Sequence, residues 1–95
     1  MKLTDKDIKG FKRYIEYLKR EVEEWEEYGM AVNLCHQFQE YVEVVDEIIA
    51  ICEEAIKKRE ITEEEKQKIL ELERKRRELE KFLWQTDVGF ARMIF

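Results

Sequence analysis

Serine is missing from this chain, so no serine nucleophile exists to be activated. Proline is missing too, and Asn33 is the single asparagine, which leaves few residues of the kind that build loops. His36 is the one histidine, which excludes metal sites built on two or more histidines. It directly follows Cys35, and adjacent residues on a helix point about 100° apart, a poor geometry for a Cys–His dyad. We read His36 as a surface or helix-start residue. Gly10, Gly29 and Gly89 stand alone and cannot form a phosphate-cradling loop. No apolar run approaches the ~18 residues of a membrane span. The opening MKLTDKDIKG carries charges where a secretory leader would need an apolar core, so no such leader is expected.

What is present is charge: 43% of the 95 residues are Asp, Glu, Lys or Arg. Abundant Glu and Lys with little Asn and no Ser is the bias of heat-adapted proteins. Idealised designs share it, but the scattered Trp, Tyr, Cys and Met residues favour a natural, heat-adapted chain. Cys35 and Cys52 fall on one expected helix, where 17 residues span about 25 Å, far beyond disulfide reach. They are expected as free thiols serving as small apolar seam residues, which suits the cytoplasm.

Three apolar series carry the architecture. Ile8, Phe11, Ile15, Leu18, Val22 and Trp25 are spaced alternately three and four apart, as are Ala31, Cys35, Phe38, Val42, Val45, Ile49, Cys52 and Ile56. The third series is Ile69, Leu72, Arg76, Leu79 and Leu83, extendable through Thr86 to Phe90 and Met93. Such spacing belongs to helices packed side by side along narrow seams. Thr4 with Asp7, and Thr62 with Glu65, are placed as N-caps with an acid at the third helical position; Leu3 and Ile8 complete a hydrophobic staple. Gly29, with Met30 placed to touch Trp25, marks a helix end. Gly10 inside a helix costs about 1 kcal/mol relative to alanine.

The expected helices are therefore about 5–28, 33–59 with Asn33 as a candidate cap, and 63–86 or longer. Short connections make them antiparallel neighbours, hence a single all-α domain over 1–95: an up-down-up three-helix bundle with coiled-coil-like packing and room for an extended third helix. Helices one and three then run parallel, with Trp25 and Trp84 level at one end. If the third helix continues to Met93 it outruns the others, exposing Val88, Phe90, Met93, Ile94 and Phe95; alternatively Gly89 breaks it and the tail folds back on the core.

Charge is segregated along the chain. Residues 1–20 carry net +4, residues 21–56 contain eleven acids and no Lys or Arg, and residues 57–95 carry net +2. An acidic block of that size disfavours nucleic acid as a partner. Arg74–Lys75–Arg76–Arg77 has acids at i±4, namely Glu71, Glu73, Glu78 and Glu80, so it is expected as an intrahelical charge lattice rather than a nucleic-acid site. Arg76 alone enters a seam, and is expected to snorkel outward or to pair with an acid of a neighbouring helix, thereby setting register.

Glu23, Glu24 and Glu27 read E-E-x-x-E, and Glu43 and Asp46 follow as E-x-x-D. This arrangement is similar to the metal-binding signature of the MazG-type all-α nucleotide pyrophosphohydrolases, and EVVDEII resembles their second acidic helix. The resemblance covers residues 23–46, with Trp25–Glu26 standing where that family commonly has glycine. It implies Mg²⁺ held by these carboxylates against a nucleotide triphosphate, attacked by a bound water, in sites built within oligomers. A turn centred near residue 30 places Glu24 about 9 Å along the axis from Glu43. The pairs face each other only if the connection spans 29–37.

The leading expectation is instead a non-enzymatic, acidic helical-bundle protein without cofactor, working by protein–protein contact as a homo-oligomer or complex subunit. Its interface would use Trp25, Tyr28 and Trp84 with Phe90, Met93 and Phe95. The alternatives are the pyrophosphohydrolase and an acidic inhibitor or adaptor that binds a basic protein surface.

Overall fold

The computed structural model describes residues 1–27 and 36–94, and the side chains of 1–27 and 38–82. Three helices form: α1 (Asp5–Glu27), α2 (His36–Lys58) and α3 (Glu63–Ile94). They pack as the expected up-down-up bundle, 51 × 21 × 17 Å. The described part of α2 begins at His36; its expected start at Asn33, with Tyr28, Gly29 and Met30, lies outside the described residues.

Both capping boxes form. Thr4 Oγ1 accepts from Asp7 N–H at 3.1 Å while Asp7 Oδ2 accepts from Thr4 N–H at 2.9 Å. Thr62 and Glu65 exchange the same two bonds at 3.1 and 3.0 Å. The end of α2 closes without glycine. Arg59 adopts the left-handed conformation (φ 57°), Glu60 N–H reaches Ala55 C=O at 3.1 Å, and Arg59 N–H reaches Ile56 C=O at 3.2 Å. That pair of bonds is a Schellman motif with arginine at the position glycine usually takes.

This corner also ties down the chain start. Leu3 N–H donates to Arg59 C=O and Ile61 N–H donates to Met1 C=O, both at 3.0 Å, so Lys2 and Glu60 face each other as an antiparallel bridge. Beneath it Leu3, Ile8, Ala55 and Ile61 form a small apolar cluster. The staple expected from Leu3 and Ile8 is thus joined by two residues from the α2–α3 corner.

The main core is built around α2, which lies between the other two helices. Its narrow-seam expectation is corrected: Tyr41, Val44, Ile48 and Ala55 are buried outside the seam, while the seam residues Val42 and Ile56 are only half-buried. A helix with neighbours on two sides needs a wider apolar face than a two-stranded coil.

The third helix takes the longer of its two expected courses, running through Gly89 without a break. It spans 32 residues, against 23 described residues in each of α1 and α2.

Candidate functional site

The most concentrated polar chemistry among the described side chains surrounds Arg76, at mid-height in the bundle. It is 3% exposed. Its Nε and Nη2 donate to Glu73 Oε2 and Oε1 at 3.0 and 2.7 Å, and its Nη1 donates to both Glu80 Oε2 and Tyr41 Oη at 3.2 Å. Its Cζ lies 5.6 Å from the Tyr17 ring centroid, within cation–π range. The Tyr14 hydroxyl donates to Glu73 Oε2, and Arg77 Nε donates to Glu73 Oε1 at 3.3 Å.

The expectation for Arg76 is therefore half corrected. It does not snorkel, and its carboxylates come from its own helix at i−3 and i+4. The neighbouring helices contribute tyrosines: Tyr14 and Tyr17 from α1, Tyr41 from α2. A planar guanidinium with five donors can serve several acceptors at once, which explains why burial here is tolerated. Among the described residues no buried side-chain nitrogen or oxygen lacks a partner.

These contacts also define register. Tyr14 meets Glu73, Tyr17 meets Arg76, and Glu21 feels the charge of Glu80; each pair is separated by 59 positions. The rungs advance by three then four residues on both helices, so α1 and α3 run parallel and in step. The charge lattice forms only in part. Glu73–Arg77 and Arg76–Glu80 pair as expected, but Lys75 reaches across to Glu40 of α2 at 3.0 Å instead of pairing with Glu71.

The electrostatics are those of a self-satisfied cluster. Burial alone would raise the Glu73 carboxyl, but hydrogen bonds from Arg76 and Tyr14 outweigh it and hold Glu73 below the usual range. Burial opposes the charge on Arg76, yet its bonds to Glu73 and Tyr41 raise its affinity for the proton. Burial pushes the Tyr41 hydroxyl up to about 12, and burial with the Glu73 contact raises Tyr14 as well. Glu21 is raised by burial and by Glu80. Donors and carboxylates here hold each other, which locks helices together and offers no poised nucleophile. Cys52 is fully buried and its thiol is pushed up to about 11 by burial, so it is an inert core residue, in line with its seam reading.

The five carboxylates of the pyrophosphohydrolase-like pattern are placed differently. Glu23, Glu24 and Glu27 are exposed on the last turns of α1, and Glu43 and Asp46 are exposed on α2. Among the described residues no three His, Cys, Asp or Glu side chains come together as a metal site, so the chain by itself does not assemble the pattern.

Of the expected interface residues, Trp25 is 5% exposed and packs in the core with Phe38 and Leu18, so it offers no surface of its own. Trp84, Phe90 and Met93 belong to α3, but their side chains lie outside the described residues, as do Tyr28 and Phe95. Sequence reasoning does not single out the tyrosines around Arg76. The signal that points to them is a lone arginine in a seam whose own-helix neighbours at i−3 and i+4 are both glutamates.

No protein-family model, curated protein or solved structure matches this chain. None of the described helices is long and apolar enough to cross a membrane.

Proposed function

We propose that this chain is a non-enzymatic helical-bundle protein that works by contact, assembling with copies of itself or as a subunit of a complex. The observation that carries the reading is the length of α3. In the 59-residue register of α1 and α3, Glu27 is level with residue 86, and residues 87–94 that follow in α3 hold Val88, Phe90, Met93 and Ile94 with only Asp87 and Arg92 charged. A helix end of such composition gains by contact with another protein. Trp84 precedes the same stretch in α3. Light scattering on a size-exclusion column tests it: the chain should exceed 11.7 kDa, and deleting residues 88–95 should leave a folded monomer. A full-length chain that runs as a clean monomer overturns self-association.

A second reading, an acidic adaptor seated on a basic surface of another protein, is favoured by the outer face of α2. Glu43, Asp46, Glu47, Glu53 and Glu54 are exposed there, and among the described residues they make no ion pair. A monomer whose binding to a basic protein weakens steeply with salt supports it. In either reading the reduced, inert Cys52 suits the cytoplasm, and the Glu- and Lys-rich, serine-free composition suits a heat-adapted source.

A further inference from the structure

The outward faces of α1 and α2 carry one three–four pattern with opposite charge. On α1, Lys6, Lys9, Arg13, Glu16, Arg20 and Glu23 are all exposed, on the side away from the buried Ile8, Ile15 and Leu18. On α2, Glu40, Glu43, Glu47, Ala50, Glu54 and Lys57 repeat that spacing 34 positions later, exposed except for the half-buried Glu40. Each charge of the first series matches an opposite charge in the second, save Glu16, which matches the small Ala50. The sign reverses together at the end, where Glu24 follows Glu23 as Lys58 follows Lys57. Lys12 and Lys19 add charge to the α1 face, and Asp46 and Glu53 to the α2 face. Among the described residues Lys6, Lys9, Arg13 and Arg20 make no ion pair within the chain, nor do Glu43, Glu47 and Glu54. Glu40 and Lys58, at the two ends of the α2 face, are shared with Lys75 and Glu65.

Consider α1 of one copy lying parallel to α2 of another, with Lys9 level with Glu43. Both helices rise equally per residue, so the offset holds along the whole contact. Lys6 comes level with Glu40, Arg13 with Glu47, Arg20 with Glu54, and Glu23 and Glu24 with Lys57 and Lys58. No like charges are level on the two stripes. Reversing α2 spoils the match. With its acidic block centred on the basic block of α1, Lys58 comes level with Lys2, and Glu23 and Glu24 lose their cations. Inside one copy α1 and α2 are antiparallel and these faces point away from each other, so only another copy can supply the match.

We infer that the acidic outer face of α2 is covered by the basic outer face of α1 from a second copy, with the two helices parallel. The inference rests on the self-association reading and adds to it a charged surface separate from the end of α3. The two faces lie on different helices, so the contact is head-to-tail: each copy offers α1 to one neighbour and α2 to another. Because α1 and α2 are antiparallel within a copy, successive copies alternate in direction, and the assembly grows beyond a dimer. Salt separates this contact from the one at the end of α3. The Debye length falls from about 30 Å at 0.01 M to about 3 Å at 1 M salt, whereas apolar burial is not screened. The mass that depends on residues 88–95 is therefore the one read at high salt.

Sedimentation equilibrium of the full chain at about 0.01 M and about 1 M salt tests it, with circular dichroism confirming that every variant is folded. The original chain should exceed twice 11.7 kDa at low salt and lose mass at high salt. Arg13→Glu with Arg20→Glu sets carboxylates against Glu47 and Glu54, and Glu47→Lys with Glu54→Lys sets ammonium groups against Arg13 and Arg20. Each double variant should weaken low-salt association at least about tenfold. Mixing the two should restore it, because each introduced charge then meets its opposite. Equal masses at both salts, variants that associate as before, or a mixture that stays apart overturns the contact. An assembly that persists at high salt leaves self-association standing in that event. A monomer at both salts overturns both readings and leaves the α2 face open to a basic protein of another kind.

Discussion

Arg76 and Tyr41 meet inside the core, where the guanidinium Nη1 donates to the phenolic oxygen at 3.2 Å across the α2–α3 boundary. Removing the arginine leaves Glu73 and Glu80 short of a cation in a largely dry setting. Arg76→Met should cost about 2–4 kcal/mol in urea unfolding, and Arg76→Lys should not restore it, since an ammonium cannot span the same acceptors. Tyr41→Phe should cost about 1 kcal/mol in the original chain and less in the Arg76→Met background, where the hydroxyl has lost its donor. Additive costs would show that the two residues are not coupled.

Acid should loosen the bundle through Glu73. Its folded-state pKa lies below the ordinary value of 4.5, so its contribution is present above that pH and is lost as pH falls through the lower folded value. Asp7 and Glu65, lowered by backbone and hydroxyl bonds at Thr4 and Thr62, act in the same direction, whereas Glu21 is raised and acts oppositely. The melting temperature of Glu73→Gln should therefore fall less steeply below pH 4.5 than that of the original chain. At the other extreme, Tyr41 rises from 10 to about 12, so stability should decline as pH climbs through that interval. A phenolate absorbance that grows without unfolding would contradict this.

The left-handed Arg59 makes a substitution at the α2–α3 corner favourable. Arg59→Gly relieves the side-chain penalty of that conformation and should stabilise by about 1 kcal/mol, whereas Arg59→Ala should not. The ion pair from Arg59 Nη2 to Asp5 Oδ1 at 2.6 Å is lost in both variants, but it is exposed and contributes little. Thermal melts of the two variants side by side separate backbone strain from the lost charge.

Magnesium distinguishes the pyrophosphohydrolase-like reading. Because the acids at 23–27 and 43–46 do not assemble in one chain, Mg²⁺ or Mn²⁺ should leave the melting temperature unchanged. A metal that saturates a folded-state site at a hundred times its Kd would add about 2.7 kcal/mol. A rise that disappears in Glu43→Ala with Asp46→Ala would place the metal on these residues and reverse our preference.

Much of the fold could be read from residue types because it depends on local rules. Thr4 and Thr62 satisfy helix-start donors a few residues away, and the three–four spacing of Ile8 through Trp25 follows from helix pitch. The double-sided burial of α2 was less legible, because Tyr41 and Ile48 become core residues only once a helix lies on each side. The partners of Arg76 were partly legible: Glu73 and Glu80 are local, whereas Tyr14, Tyr17 and Tyr41 arrive from 35 or more residues away. The bridge between Lys2 and Glu60 had no periodic signature, being a single pairing between short segments.

That bridge gives the chain an order of events. The first helix can be complete soon after its residues leave the ribosome, but the carbonyls and amides that hold its leading end belong to residues 59–61. Until those residues emerge, α1 has no fixed anchor at that end, and pairing with α2 alone leaves Leu3 and Ile8 without their cover from Ile61. Translation must therefore pass the α2–α3 corner before the bundle can close at its base, and a ribosome stalled earlier holds an open pair of helices.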